Sequence, residues 1–190
     1  MADKISVITM CGSLRKGSYN AALARMLPSL APPGMAISAG PSIRDIPLYN
    51  QDDQDATGIP AAVTTLADAI RAADGLIVVS PEYNWSIPGT TKNTIDWLSR
   101  LEKIPFVDKP VALQSCSRGL LGAARMQYHL RQSLACLDAL LFSKPEVFVT
   151  FSPQKFDKDT LELKDQPTLD MVKAQLTAFE KFVRRMTGKN

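Results

Sequence analysis

The stretch Gly75-Leu76-Ile77-Val78-Val79-Ser80 decides the fold of this chain. Its core is continuously apolar and rich in β-branched residues, which is typical of a strand that is buried on both faces of a sheet. Helical patterns flank it on either side. Before it, apolar residues recur at helical spacing at Val63, Leu66, Ala67 and Ile70. After it, residues 88–101 are typical of a helix with proline near its first turn. The stretch therefore predicts an α/β fold built on a parallel sheet.

The rest of the chain repeats this alternation of strands and helices. Four more strands are predicted, at 5–9, 35–38, 111–113 and 146–150. Helical spacing marks three more helices, within 23–30, 123–137 and 169–183, and residues 43–54 are predicted to form a long polar loop. Five strands alternating with five helices predict a parallel sheet covered by helices on both faces, with right-handed crossovers. Residues 1–190 are predicted to form a single domain, because no linker, repeat or low-complexity tract interrupts them.

Composition and charge exclude several classes of protein. Hydrophobic residues make up 45% of the 190 residues and charged residues 22%, as in ordinary globular domains. The net charge of +3 is too small and too dispersed to favour nucleic-acid binding. No apolar run approaches ~18 residues and no signal peptide is evident, so we expect no membrane association. Three cysteines without a C-x-x-C pair favour reduced thiols in the cytoplasm, and the single histidine argues against a metal site.

In a sheet of this kind ligands bind beyond the carboxyl ends of the strands, so the loops after strands one, three and four are the candidates. The first loop, 11–20, joins a strand to a helix start, where free N–H groups and the helix dipole favour a phosphate. Ser13 and Ser18 add hydroxyls, and Arg15 adds a charge. Gly12 and Gly17 have P-loop spacing, but Ser18-Tyr19 replaces the Lys-Ser/Thr pair, so a monophosphate is predicted. The alternative is a plain capped turn with Ser18 as the N-cap.

The second and third loops are predicted to surround a flat ring. Residues 80–89 carry two prolines and two aromatic residues beside amide and carboxylate groups, which favours contact with a heteroaromatic ring. The alternative for Trp85 is burial in the core. Residues 115–123 contain small residues and glycines, so their backbone N–H groups can approach a ligand and stabilise negative charge on a reduced ring. The alternative here is a flexible connection to a helix.

Two separated motifs resemble the NAD(P)H-dependent FMN reductase family, which includes the chromate and quinone reductases of bacteria. They are Gly12-Ser13-Leu14-Arg15-x-x-Ser18-x-Asn20, and Pro81-Glu82-Tyr83-Asn84 followed by Ile87-Pro88-Gly89-x-x-Lys92-Asn93-x-x-Asp96-Trp97. The resemblance implies a flavodoxin-like three-layer sandwich with strand order 2-1-3-4-5 and one FMN per subunit. It implies that the phosphate is held by Ser13, Arg15, Ser18 and Asn20. It places Pro81, Glu82, Tyr83 and Asn84 beside the flavin ring, and Ser115, Ser117 and Gly119 along its pyrimidine edge.

The activity implied by the resemblance is hydride transfer from NADPH or NADH to FMN, followed by transfer of two electrons to quinones, chromate, azo compounds or free flavin. No catalytic side chain is expected, since the cofactor carries the chemistry. The rival predictions are a reductase that supplies reduced FMN to a monooxygenase and a flavodoxin-type electron carrier. A basic pI of about 8.8 argues against the carrier, which would dock on basic partners.

Four residues with potentially reactive side chains are expected to have no catalytic role. One face of the fourth helix is expected to form a subunit interface. His129 is predicted to lie on the surface or in an interface, Cys11 and Cys116 to be small buried residues, and Glu82 to hydrogen-bond locally or face solvent. A homo-oligomer, dimer or tetramer, is predicted from polar and aromatic residues on the fourth helix. Those residues are Arg125, Tyr128, His129, Arg131 and Gln132.

Overall fold

The computed structural model describes residues 3–189 and contains one parallel sheet with helices around it. Its strands are β1 (Ile5–Cys11), β2 (Met35–Ala39), β3 (Gly75–Val79), β4 (Pro110–Cys116), β5 (Leu140–Leu141) and β6 (Val147–Val149). Its helices are α1 (Tyr19–Leu30), α2 (Gln51–Thr57), α3 (Ala61–Ala72), α4 (Gly89–Leu98), α5 (Ala124–Ala135), α6 (Ser152–Lys155) and α7 (Gln166–Thr187). None of the helices in this part of the chain is both long and apolar enough to cross a membrane.

The strand order is β2-β1-β3-β4-β5, with β6 also paired to β4, and every pairing is parallel. This confirms the predicted order. The fifth position of the sheet is shared by two short strands. Leu140 of β5 lies opposite Pro110 at the start of β4, and Val149 of β6 lies opposite Cys116 at its end. The predicted strand at 146–150 corresponds to β6, whereas β5 was not predicted.

Both faces of the sheet are covered, and β3 shows how. Ile77 and Val79 belong to one hydrophobic cluster, with residues of α1 and α7. Leu76 and Val78 alternate with them and belong to a second cluster, with residues of α3, α4 and α5. Every residue of β3 is buried. The sequence of β3 is therefore continuously apolar because helices cover both faces of the sheet, as predicted.

Helix α2 occupies part of the segment that was predicted as a long polar loop. It contains no buried residue, so no apolar period marks it in the sequence. Its ends are nevertheless well defined. Asn50 Oδ1 accepts from Asp52 N at 3.1 Å, and the helix ends at Gly58 with φ 78°. A polar surface helix of this kind is held by its caps rather than by core packing.

Buried amide side chains attach β6 and the helices to β4. Gln127 of α5 donates from Nε2 to Ser115 Oγ at 2.8 Å and to Val147 O at 2.9 Å. On the other face of the sheet, Gln175 of α7 donates from Nε2 to Pro145 O at 2.9 Å. Side-chain hydrogen bonds from two helices therefore hold β6 and the residues just before it, in addition to the pairing of β6 with β4.

Candidate functional site

A cleft of about 350 Å³ lies where the loops after β1, β3, β4 and β6 meet at the carboxyl edge of the sheet. It brings together most of the predicted site residues: Ser13, Arg15, Ser18, Asn20, Pro81, Glu82, Tyr83 and Ser117. Its volume is within the range of pockets that bind small molecules. The cleft therefore lies at the edge of the sheet where the strand pattern predicted a ligand site.

Gly12 sets the path of the loop after β1. Its N–H donates to Val79 O at 2.9 Å, so the chain passes close over the end of β3. A Cβ at this position would run into the side-chain hydroxyls of Ser80 and Thr91. Only glycine allows this crossing, after which the loop turns away from the sheet toward the start of α1.

The loop after β1 presents unused hydrogen-bond donors. Within the described residues, no group accepts from the backbone N–H groups of residues 13–20. Ser18 caps α1, because its Oγ accepts from Ala21 N at 3.2 Å, yet its hydroxyl hydrogen can still donate. No acidic residue lies in the first turn of α1, and exposed Arg15 makes no ion pair within residues 3–189. The cap made by Ser18 is therefore compatible with the predicted anion site at the same helix start.

Asn20 joins the start of α1 to the end of β4. Its Nδ2 donates to Cys116 O at 3.0 Å, and its Oδ1 accepts from Cys116 N at 2.8 Å. The residue is only 4% exposed. One N–H of the amide remains to face the cleft. Asn20 therefore holds two walls of the cleft together in addition to bordering it.

The loop after β3 forms a tight turn over Tyr83–Ser86. Tyr83 N donates to Ser86 O at 3.1 Å and Ser86 N donates to Tyr83 O at 3.0 Å. Between them Asn84 and Trp85 have φ values of 49° and 65°, a costly conformation for residues other than glycine. Trp85 is 66% exposed, so its predicted alternative as a core residue is wrong. The Arg125 guanidinium covers one face of its ring at 4.3 Å.

Glu82 and Ser86 attach this turn to α5. The helix starts after Ala123, which has φ 69° and makes no side-chain cap. Glu82 Oε2 supplies a cap from the neighbouring loop by accepting from Met126 N at 3.0 Å. Ser86 Oγ lies 3.0 Å from Nδ1 of exposed His129. The expectations of a local hydrogen bond for Glu82 and a surface position for His129 are confirmed.

The fourth wall of the cleft was missed by the sequence analysis. Ser152, at the start of α6, donates from its N–H at 3.0 Å and from its hydroxyl at 2.8 Å to Ser117 O. It follows the last strand of the sheet, so the rule that selected the other loops would also have selected this one. Tyr19, Cys116 and Arg118 also border the cleft without having been predicted as site residues.

Three predicted site residues lie outside this cleft. Ser115 is fully buried, and its hydroxyl donates to Gly122 O at 2.6 Å and accepts from Gln127. Side chains alternate along a strand, and Ser115 faces α5 whereas its neighbours face the opposite layer. Asn84 and Gly119 are exposed at the tips of their loops. The Ser115 side chain therefore does not border the cleft, although the residue was predicted to line the pyrimidine edge of the flavin.

Two cysteine thiols lie in buried or partly buried surroundings at the ends of β1 and β4. Cys116 is 3% exposed and Cys11 is half-buried. Burial raises the pKa of both thiols above the ordinary range. Both thiols also point at backbone oxygens, of Ser13 and Tyr19 respectively. The expectation that they are structural is consistent with this environment.

Comparison with known proteins places this geometry in a family. The model of the NADPH-dependent FMN reductase family matches residues 4–154. The chain belongs to that family. It is an oxidoreductase that uses NAD(P)H and FMN, as the motifs predicted.

Relatives match along the whole chain. A quinone reductase of Escherichia coli K12 is 52% identical over 186 residues, covering 98% of this chain and 99% of that protein. An NAD(P)H-dependent FMN reductase of Pseudomonas aeruginosa is 45% identical over 188 residues, covering 99% and 100%. The solved structure of a flavoenzyme NAD(P)H:(acceptor) oxidoreductase from Paracoccus denitrificans superposes with a TM-score of 0.84 at 31% identity, covering 96% and 98%. These matches confirm the predicted family and fold.

The donor set of the cleft fits the phosphate of FMN. A phosphate monoester needs several donors and a positive charge, and residues 13–20 supply N–H groups, two hydroxyls and Arg15. No P-loop lysine is present to bind a triphosphate. On the ring side, Pro81 and Tyr83 offer rigid apolar surface. The residues present therefore fit the cofactor of the family.

Proposed function

We propose that the cleft binds one FMN per chain, with its phosphate at the start of α1 and its ring between the loops after β3 and β4. The observation that carries this proposal is the run of unused N–H donors at residues 13–20, next to Arg15. Ser13, Ser18 and the remaining N–H of Asn20 complete the phosphate site. Tyr83 and Pro81 cover the ring, while Ser117 lies at its polar edge. The single domain and the cytoplasmic location expected from the sequence belong to the same proposal, the latter supported by three free cysteines.

The proposed reaction is reduction of a quinone by NADPH or NADH. Bound FMN supplies the hydride acceptor and the two-electron donor. The chain's own residues bind and orient the reactants, because the cofactor rather than a side chain carries the electrons. Relatives named quinone reductase support a quinone as the acceptor. Chromate, azo compounds and free flavin are further acceptors within the same proposal.

The proposal includes a homo-oligomer, dimer or tetramer. Around the turn of the β3 loop and the start of α5, five large apolar side chains are exposed: Tyr83, Trp85, Leu120, Leu121 and Tyr128. Exposed aromatic and aliphatic side chains in one region are typical of an interface. Arg131 does not belong to it, because it donates to Phe142 O at 3.0 Å and pairs with Glu146. Light scattering should give a multiple of the chain mass, and a single-chain mass with full activity would contradict this part.

Flavin content and turnover test the proposed function together. The purified protein should be yellow, and heat should release FMN in a one-to-one ratio to the chain, identified by chromatography. The protein alone should then oxidise NADPH or NADH when a benzoquinone is added, which an electron carrier would not do. Release of FAD, failure to bind added FMN, or a requirement for a partner protein would each refute the proposal. A turnover rate highest with free FMN would instead favour supply of reduced flavin to a monooxygenase.

A further inference from the structure

A second cleft lies on the opposite side of the loop after β1, between that loop, α1 and the segment after β2. Its volume is about 350 Å³, equal to that of the cofactor cleft. Small side chains leave room for it, Ala21 and Ala24 on α1 and Ala39 at the end of β2. Ser13 borders both clefts, so a single loop separates them.

Main-chain contacts hold the second cleft open. Gly40 N donates to Thr9 O at 2.9 Å, and a Cβ at Gly40 would lie 2.7 Å from that oxygen, so this approach requires glycine. On the other wall, Arg44 Nη2 donates to Leu14 O at 2.9 Å and ties the segment after β2 to the loop after β1. The space is therefore a preformed cavity between fixed walls, as binding pockets usually are.

Arg25 gives the second cleft its charge. It is the one charged residue in the lining, and it makes no hydrogen bond or ion pair within residues 3–189. Cys11 lies half-buried in the same cleft. Burial raises the pKa of this thiol, so it stays neutral near pH 7 and does not balance the arginine. Arg25 is exposed, so one cation without a partner lies at the solvent-facing rim of a cleft whose walls are largely apolar.

We propose that the second cleft binds a small molecule with an apolar or aromatic body and one carboxylate or sulfonate group. The anionic group pairs with Arg25, and the body packs against the alanines of α1 and β2. A guanidinium pairs more strongly with a carboxylate than with a neutral acceptor, which sets the preference for an anion. This site is separate from the cofactor cleft and does not depend on the acceptor that the enzyme reduces.

Calorimetric titration with naphthoate tests the charge requirement. Excess FMN is present throughout, so that naphthoate cannot occupy the cofactor cleft. Naphthoate should bind at one per chain, and neutral naphthamide should bind at least tenfold more weakly. Arg25→Gln should weaken naphthoate binding by roughly tenfold to a hundredfold, the effect of losing one charge-assisted hydrogen bond. Lys173→Gln, which removes an exposed charge on α7, should leave it unchanged.

Two substitutions on β2 test the shape of the second cleft, and alkylation of Cys11 tests where naphthoate binds. Ala39→Leu should fill the cleft and weaken naphthoate binding, whereas Ala36→Leu, exposed on the same strand outside the cleft, should not. Naphthoate should slow alkylation of Cys11 by a maleimide, as measured on the Cys11 peptide by mass spectrometry. Exposed Cys136 serves as the internal reference and should react at the same rate with and without naphthoate.

Three results would overturn the proposal. The first is no binding of naphthoate at millimolar concentrations. The second is binding that Arg25→Gln and Lys173→Gln weaken equally. The third is alkylation of Cys11 that becomes slower at higher protein concentration but is unaffected by naphthoate. That result would indicate that a second copy of the chain covers the second cleft. None of these readouts involves turnover, so they do not test the proposed function.

Discussion

Replacing Asn20 by alanine should weaken both the fold and cofactor binding. The change removes the two hydrogen bonds at 3.0 and 2.8 Å to the backbone of Cys116, which is 3% exposed. The Cys116 N–H and C=O are then buried without partners, at a cost of about 1–3 kcal/mol each. We therefore expect Asn20→Ala to lower the free energy of unfolding by about 2–6 kcal/mol, a large part of the ~5–15 kcal/mol of a typical domain.

Urea unfolding without FMN measures this loss apart from cofactor binding, since a ligand would itself stabilise the folded state. Asn50→Ala is the matched control, because Asn50 caps α2 on the surface and its loss should cost about 1 kcal/mol. FMN affinity, measured by flavin fluorescence, should fall with Asn20→Ala because α1 and β4 are no longer tied together. Equal destabilisation by the two variants would refute the reasoning, as would unchanged FMN affinity in Asn20→Ala.

Further predictions concern binding of the FMN phosphate, steady-state kinetics and the free energy of unfolding at low pH. Arg15→Ala should weaken FMN binding by roughly tenfold to a hundredfold, while Lys16→Ala, also exposed on this loop, leaves the dissociation constant nearly unchanged. Double-reciprocal plots at several quinone concentrations should be parallel, since donor and acceptor use one flavin in turn; intersecting lines would indicate a ternary complex. His129→Ala should keep turnover within about threefold, because no protein base is needed. Burial opposes ionisation of Asp74, but hydrogen bonds from Lys189 and Ser6 outweigh it and lower its pKa. Ionised Asp74 should therefore stabilise the fold at pH values above the ordinary pKa of aspartate, and this contribution should be lost as the pH falls through the lowered pKa. In Asp74→Asn, the free energy of unfolding should change less with pH over that range.

The positions of the strands, and of the loops that follow them, were predictable because buried segments have apolar runs or apolar periods in the sequence. β3 is covered by helices on both faces, and its apolar run shows it. Helix α2 has no buried residue and therefore no apolar period, although Asn50 and Gly58 at its ends were visible cap signals. β5 has only two residues, too few for any pattern.

Within the site, the loops were predictable but the direction of individual side chains was not. Trp85 is usually a buried residue type, yet a turn with positive φ at two positions holds it outward. Ser115 lies on the correct strand end, but the alternation of the strand directs it to α5. Such outcomes depend on turn geometry and strand parity, which a single sequence does not reveal.

The buried amides around β4 limit how this fold can be recombined. The three residues of β6 pair with β4 alone, and Gln127 and Gln175 add hydrogen bonds from opposite layers to Val147 and to Pro145 just before the strand. A chimera that takes α5 or α7 from a relative without these glutamines therefore removes the side-chain donor to the Val147 or the Pro145 carbonyl, even when every apolar side chain fits. The loop after β6, which reaches the cleft at Ser152, therefore depends for its position on two helices that are distant in the sequence.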